Sequence, residues 1–101
     1  MELLCFIAGT MAITVKYFAS VREYMGKRQD TIVVDEVKVI ELLKRLKGIK
    51  GTLDKLLLKN GRLKSIYTIV VNGRDINSLN GLETIVKDGD VVAIFPPFSG
   101  G

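Results

Sequence analysis

The residues of this sequence whose types and spacing could do chemistry stand at its end, which reads AIFPPFSGG from Ala93 to Gly101. Proline has no amide hydrogen and a fixed φ, so Pro96 and Pro97 should end a strand, and Phe95 and Pro96 are biased to extended geometry by the prolines that follow them. The four residues from Phe98 to Gly101 can then reach roughly 13 Å outward, far enough to enter another protein's active site. Without a Cβ, Gly100 and Gly101 can pass a constriction and let an enzyme approach the backbone closely. The reactive group at the tip is the carboxylate of Gly101. With an unperturbed pKa of about 3.5 it is a resonance-stabilised anion and a poor acyl electrophile, so it needs activation from outside, most obviously by adenylation.

Little else in the chain could catalyse. The 101 residues include no histidine and one cysteine, Cys5. That removes the commonest general base, the commonest zinc ligand and any intramolecular disulfide, and no metal site is expected. Nothing near Cys5 in sequence supplies the positive charge that would activate its thiol. A lone cysteine and the lack of an apolar run of about 18 residues fit a cytoplasmic protein without a membrane span. The opening MELLCFIAGT carries Glu2 where a signal peptide needs positive charge. Met11 stands directly before a strand-like run, which makes residues 1–11 an extension that need not be native.

The net charge is +4, unevenly placed: Lys38 to Lys64 holds nine basic residues against Glu41 and Asp54. This segment has no aromatic residue and no docking motif, so it reads as a solvated face and no nucleic acid is expected as a partner.

The elements that must position the tail follow from hydrophobic periodicity. A chain of this length buries roughly 60 to 70% of its unfolded surface and forms one core. Ile13 to Ala19 alternates as a strand, with Thr14, Lys16 and Phe18 on the second face, and Gly26 closes about one helical turn after it. Asp30 to Val34 is β-branched and reads as a second strand, forming a hairpin with the first. Residues 35–48 carry Val39, Ile40, Leu43 and Leu46 on one face of the main helix, which Gly48 should stop. A shorter helix follows, with Thr52 as N-cap, Leu53, Leu56 and Leu57 inward, and Asn60-Gly61 as its end. Ser65 to Val71 is a strand, and Asn72-Gly73 suits a type I′ turn. Residues 80–90 read as a loop closed by a turn at Asp88-Gly89. The unbroken apolar run VVAIFP is a strand in the middle of the sheet. The expected class is α+β, a mixed sheet packed against one main helix plus a short second helix.

The stretch LETIVKDGDVVAIFPPFSGG closely resembles the C-terminus of the small subunits of molybdopterin synthase, a family of ubiquitin-like sulfur carriers. The likeness runs back through VVNGRDI and LLLKNGRL to ITVKYFASVREYMG. It implies a β-grasp domain over residues 12–95 and a projecting tail over 96–101. It also implies a cycle in which an E1-like enzyme uses ATP to adenylate Gly101, and a sulfur donor enzyme converts the adenylate to a thiocarboxylate. The large synthase subunit then uses that sulfur for the molybdenum or tungsten cofactor. The chain would bind no cofactor and would not be an enzyme on its own. Phe95, Pro96, Pro97, Phe98, Ser99 and Gly100 would pass the tail and dock its partners, although Phe98 and Ser99 stand where small or branched residues are frequent in the family. Two alternatives share the adenylated tail: a protein modifier joined to lysines through Gly101, and the carrier of the thiamin pathway. A third is a plain binding module with an idle tail.

Overall fold

The computed structural model describes residues 12–97. The extension expected over 1–11 and the last four residues, Phe98 to Gly101, lie outside them. A five-stranded sheet is built from β1 (Ala12–Tyr17), β2 (Gln29–Val33), β8 (Thr68–Val71), β9 (Arg74–Asp75) and β11 (Val91–Phe95), in the order β2-β1-β11-β8-β9. β1 and β11 run parallel, with Tyr17 opposite Ile94, and both outer neighbours are antiparallel. The last strand is thus central, as its unbroken apolar run implies.

One face of this sheet is buried and the other is open. Ile13, Val15, Tyr17, Ile69, Val71, Val92 and Ile94 point into the core. They meet Val21 and Met25 of α1 (Ala19–Met25), Val39, Leu42 and Leu43 of α2 (Val39–Arg45), and Leu53 and Leu57 of α3 (Leu53–Leu57). At about 25 cal/mol per Å² of apolar surface, this layer is the main stabilising term.

Several elements differ from their sequence reading. The first strand ends at Tyr17, and α1 spans seven residues where one turn was expected, so β1 and β2 pair across a helix. The second strand begins and ends one residue earlier than its β-branched run. The main helix is only Val39–Arg45, because Glu36–Lys38 forms β3 instead and pairs with β10 (Ile85–Lys87) out of the supposed loop. Val37 faces in while Glu36 and Lys38 face out, a period of two that fits a strand better than a helix. Leu42 is fully buried and Ile40 only half-buried. Gly48 does not cap the helix; it lies in a small hairpin of β4 (Lys47–Gly48) and β5 (Gly51–Thr52). Asn60-Gly61 likewise is a hairpin turn, with φ of 54° and 77°, between β6 (Leu58–Lys59) and β7 (Arg62–Leu63). Thr52 is the N-cap residue, but its side chain makes no capping bond, and Leu56 is half-buried. The strand read from Ser65 starts at Thr68. The Asn72-Gly73 turn has the positive φ at both residues that a type I′ turn needs.

The β4–β5 hairpin closes the end of α1. Gly26, at φ 78°, donates to the Arg22 carbonyl at 2.8 Å. The amides of Ile49 and Lys50 donate to the carbonyls of Met25 and Tyr24, and the Tyr24 hydroxyl donates to the Thr52 carbonyl at 3.0 Å. This satisfies acceptors that a helix end otherwise leaves bare. The fit requires glycine at position 48, where a Cβ would sit 2.4 Å from the Met25 Cα.

The buried Tyr17 hydroxyl donates to Asp30 Oδ2 at 2.8 Å, and Lys27 pairs with the other Asp30 oxygen at 3.1 Å. Burial first, then the hydrogen bond to Asp30 and its charge, push the Tyr17 hydroxyl far above the ordinary tyrosine value of 10. Tyr24 is shifted the same way, mainly by burial. Because the folded pKa is raised, this contribution to stability is complete below pH 10 and is lost as pH rises above it.

Two outcomes are expected. Gly48→Ala should cost about 1–3 kcal/mol of stability, seen as a lower urea midpoint at constant m-value, since the clash is with backbone and cannot be relieved by a rotamer change. Thermal melts of the wild type should fall more steeply between pH 10 and pH 11.5 than those of Tyr17→Phe, which has no proton to lose. Equal slopes would refute the assignment.

Candidate functional site

The parallel pairing of β1 and β11 puts their C-terminal ends together, and antiparallel pairing brings the start of β8 to the same place. Each strand contributes there from its open face. Phe18 follows Tyr17, Phe95 follows Ile94, and Thr68 lies opposite Phe95 in register. The rings of Phe18 and Phe95 stack with centroids 4.6 Å apart and planes 11° from parallel. Such a pair contributes about 0.5–1.5 kcal/mol beyond its buried area.

Around the stack lies a groove of about 480 Å³, lined by Phe18, Ala19, Ile66, Thr68, Phe95, Pro96 and Pro97. Ile66 is 54% exposed and Phe95 37%. The strand ends at Phe95 and the two prolines lie beyond it, at the groove, as their chemistry requires. Phe98, Ser99, Gly100 and Gly101 lie outside the described residues. A larger depression of about 780 Å³, lined in part by Asn72, Arg74 and Asp90, lies at the opposite end of β11 and is remote from the tail.

Phe18, Ala19, Ile66 and Thr68 were not singled out by sequence. The signal for Phe18 was present: it is the one large apolar residue on the Thr14, Lys16, Phe18 face of its strand. Nothing local marks Ile66, which reaches the groove only because β8 pairs with β11.

Ala19 has φ of 48°, and the other described non-glycine residues with positive φ are the turn asparagines 60 and 72. For alanine this conformation costs about 1–2 kcal/mol. It turns the chain sharply, so that Phe18 stays on the open face while Val21 enters the core two residues on. The first turn is closed by the Val21 amide donating to the Phe18 carbonyl at 3.0 Å.

The other end of β11 is spliced in place by Asn72. Its amide nitrogen donates to Asp90 Oδ1 at 2.8 Å, and its Oδ1 accepts from the Val91 amide at 2.9 Å. Asn72 therefore fixes the last strand as well as making a turn. Asp90 Oδ2 in turn accepts from the Lys87 amide at 2.9 Å. Among the described residues no group of three or more acidic, histidine or cysteine side chains could hold a metal, and no helix is long and apolar enough to cross a membrane.

The mixed sheet thus has a central last strand that ends at Phe95, with Pro96 and Pro97 beside an apolar groove. Residues 15–101 match the ThiS family. The chain belongs to that family.

Among curated relatives, it is 32% identical over 92 residues to small archaeal modifier protein 3 of Haloferax volcanii, covering 90% of this chain and all of that one. It is 33% identical over 90 residues to the molybdopterin synthase sulfur carrier subunit of Haemophilus influenzae, covering 88% and 99%. The crystal structure of SAMP1 from Haloferax volcanii superposes with a TM-score of 0.73 at 29% identity, covering 89% of this chain and 99% of that chain. The fold is the ubiquitin-like β-grasp, as the resemblance implied, with three α-helices among the described residues. The family is one of small ubiquitin-like carriers and modifiers, whose named members include both roles.

Ala19 supplies the test of this geometry. Ala19→Val should cost about 1–3 kcal/mol although the side chain is exposed, because a β-branched residue resists positive φ, while Ala19→Gly should cost nothing measurable. Chemical denaturation of the two variants checks both.

Proposed function

We propose that this chain is a sulfur carrier that serves as the small subunit of a molybdopterin synthase. The Gly101 carboxylate attacks the α-phosphorus of ATP on an E1-like enzyme, releasing pyrophosphate and forming an acyl-adenylate. Adenylation makes the Gly101 carbonyl an electrophile, and hydrosulfide supplied by a donor enzyme attacks it, displacing AMP and leaving a thiocarboxylate. The large synthase subunit accepts this tail and takes the sulfur for cofactor assembly, so acid, base and pocket come from partners. The chain itself carries the sulfur and is not an enzyme alone.

The observation that carries this reading is the sequence FPPFSGG following the central strand, with Phe95, Pro96 and Pro97 lining an exposed apolar groove. It supports docking at Phe18, Ile66, Phe95 and Pro97, with Gly100 and Gly101 passing into the partner. The identity to the Haemophilus subunit supports the molybdopterin branch in preference to the thiamin pathway.

The likeness to small archaeal modifier protein 3, over the whole of that protein, supports a second reading, in which the same activated Gly101 is joined to lysines of target proteins. One tail can serve both.

After incubation with ATP, the E1-like enzyme and a sulfur source, mass spectrometry should find one terminal oxygen replaced by sulfur. Deleting Gly101, or adding one residue after it, should abolish that change and leave the melting curve intact. Full activity of either variant would sink the proposal. Branched glycylglycine-lysine peptides in cell extracts would establish the modifier role.

A further inference from the structure

The groove at the root of the tail continues into a second concavity of opposite character. Residues Ser65 and Ile66 connect them directly: Ile66 lines the groove, and Ser65 lines a depression of about 520 Å³ on the β6–β7 hairpin. Its walls carry Lys59, Arg62 and Lys64. Among the described residues none of these three forms a salt bridge. The tight Asn60-Gly61 turn holds the hairpin, and the Lys64 amide ties its exit to the Leu57 carbonyl at 2.9 Å. The charges therefore stand on a fixed platform.

The platform is the end of a larger asymmetry. The chain has 15 basic and 11 acidic residues; nine and two of these fall between Lys38 and Lys64, leaving six against nine elsewhere. That segment spans α2, the β4–β5 hairpin, α3 and the β6–β7 hairpin, and α2 and α3 pack on the inner face of the sheet, so this part of the chain carries the excess of positive charge. A charge separation of this kind orients an approaching partner before contact.

We infer that Lys59, Arg62 and Lys64 seat an acidic surface on the adenylating enzyme that receives the tail, and so set the orientation in which the tail enters. This rests on the reading of the chain as an adenylated carrier. The combination of an apolar groove with a charged flank is that of a protein interface, with an apolar centre and a polar rim. A nucleic acid would leave the groove unused, and the hairpin has no aromatic residue on which a base could stack.

The test is ATP–pyrophosphate exchange catalysed by the E1-like enzyme of the same cell, with full-length carrier as the varied substrate. Lys59→Glu combined with Arg62→Glu should raise the KM for the carrier about tenfold at low ionic strength and leave kcat unchanged. The difference should shrink at roughly 0.5 M salt, where charges are screened within a few ångströms. Lys59→Arg with Arg62→Lys should behave as the wild type, and urea midpoints should agree across the set. If the wild type exchanges but the reversed variant keeps its KM, the inference is overturned and the carrier reading stands. Wild-type chain that supports no exchange overturns both. Loss of binding to a 20-base-pair RNA duplex in the reversed variant, with KM unmoved, overturns the inference in favour of a nucleic-acid surface.

Discussion

The parallel pairing of β1 with β11 is the constraint on which the rest of this structure depends. It joins the first described strand to the last, so the sheet cannot close until the chain has been traversed. The connection between them contains every helix of the described domain and three small two-stranded sheets. Parallel strands buried on a helix-covered face need apolar side chains, which is why Val92 and Ile94 sit beside Val15 and Tyr17 in the core. The same pairing fixes Phe18 next to Phe95 and thereby makes the groove.

What the sequence revealed and what it concealed divide along one line. Features set by a residue's own backbone chemistry were legible: the stop at Pro96, the turn at Asn72-Gly73, the central strand from its apolar run. Features set by distant partners were not. Glu36–Lys38 reads as the start of a helix because its mate, Ile85–Lys87, lies on the far side of two helices and three hairpins. Asn60-Gly61 can end a helix or turn a hairpin with equal ease, since both need positive φ, and only the pairing of Leu58 with Leu63 decides between them. Ile66 looked like part of a strand and is instead a wall of the groove.

The two concavities that meet at Ser65 and Ile66 differ in character. The groove is apolar and partly filled by its own aromatic stack, so binding there can bury Ile66 and Phe95 without first removing bound charge. The hairpin beside it acts at longer range, because Coulomb interactions extend about 8 Å in physiological salt while apolar contact requires touching surfaces. Ala19 connects this surface to the core: its unfavourable backbone sends one aromatic ring outward and the next turn of chain inward. Strain of this kind persists only where surrounding packing enforces it, and here the buried Val21 and Tyr17 do so.

The central position of β11 also determines how the molecule responds to being pulled. Force applied at Pro96 and Pro97 along the axis of β11 acts on a strand bonded on both sides, to β1 and to β8. Force in that direction shears the two ladders together instead of opening them one bond at a time, and Asn72 clamps the far end. A tail on an edge strand would peel. Load applied at the end of β11 is therefore shared by both neighbouring strands.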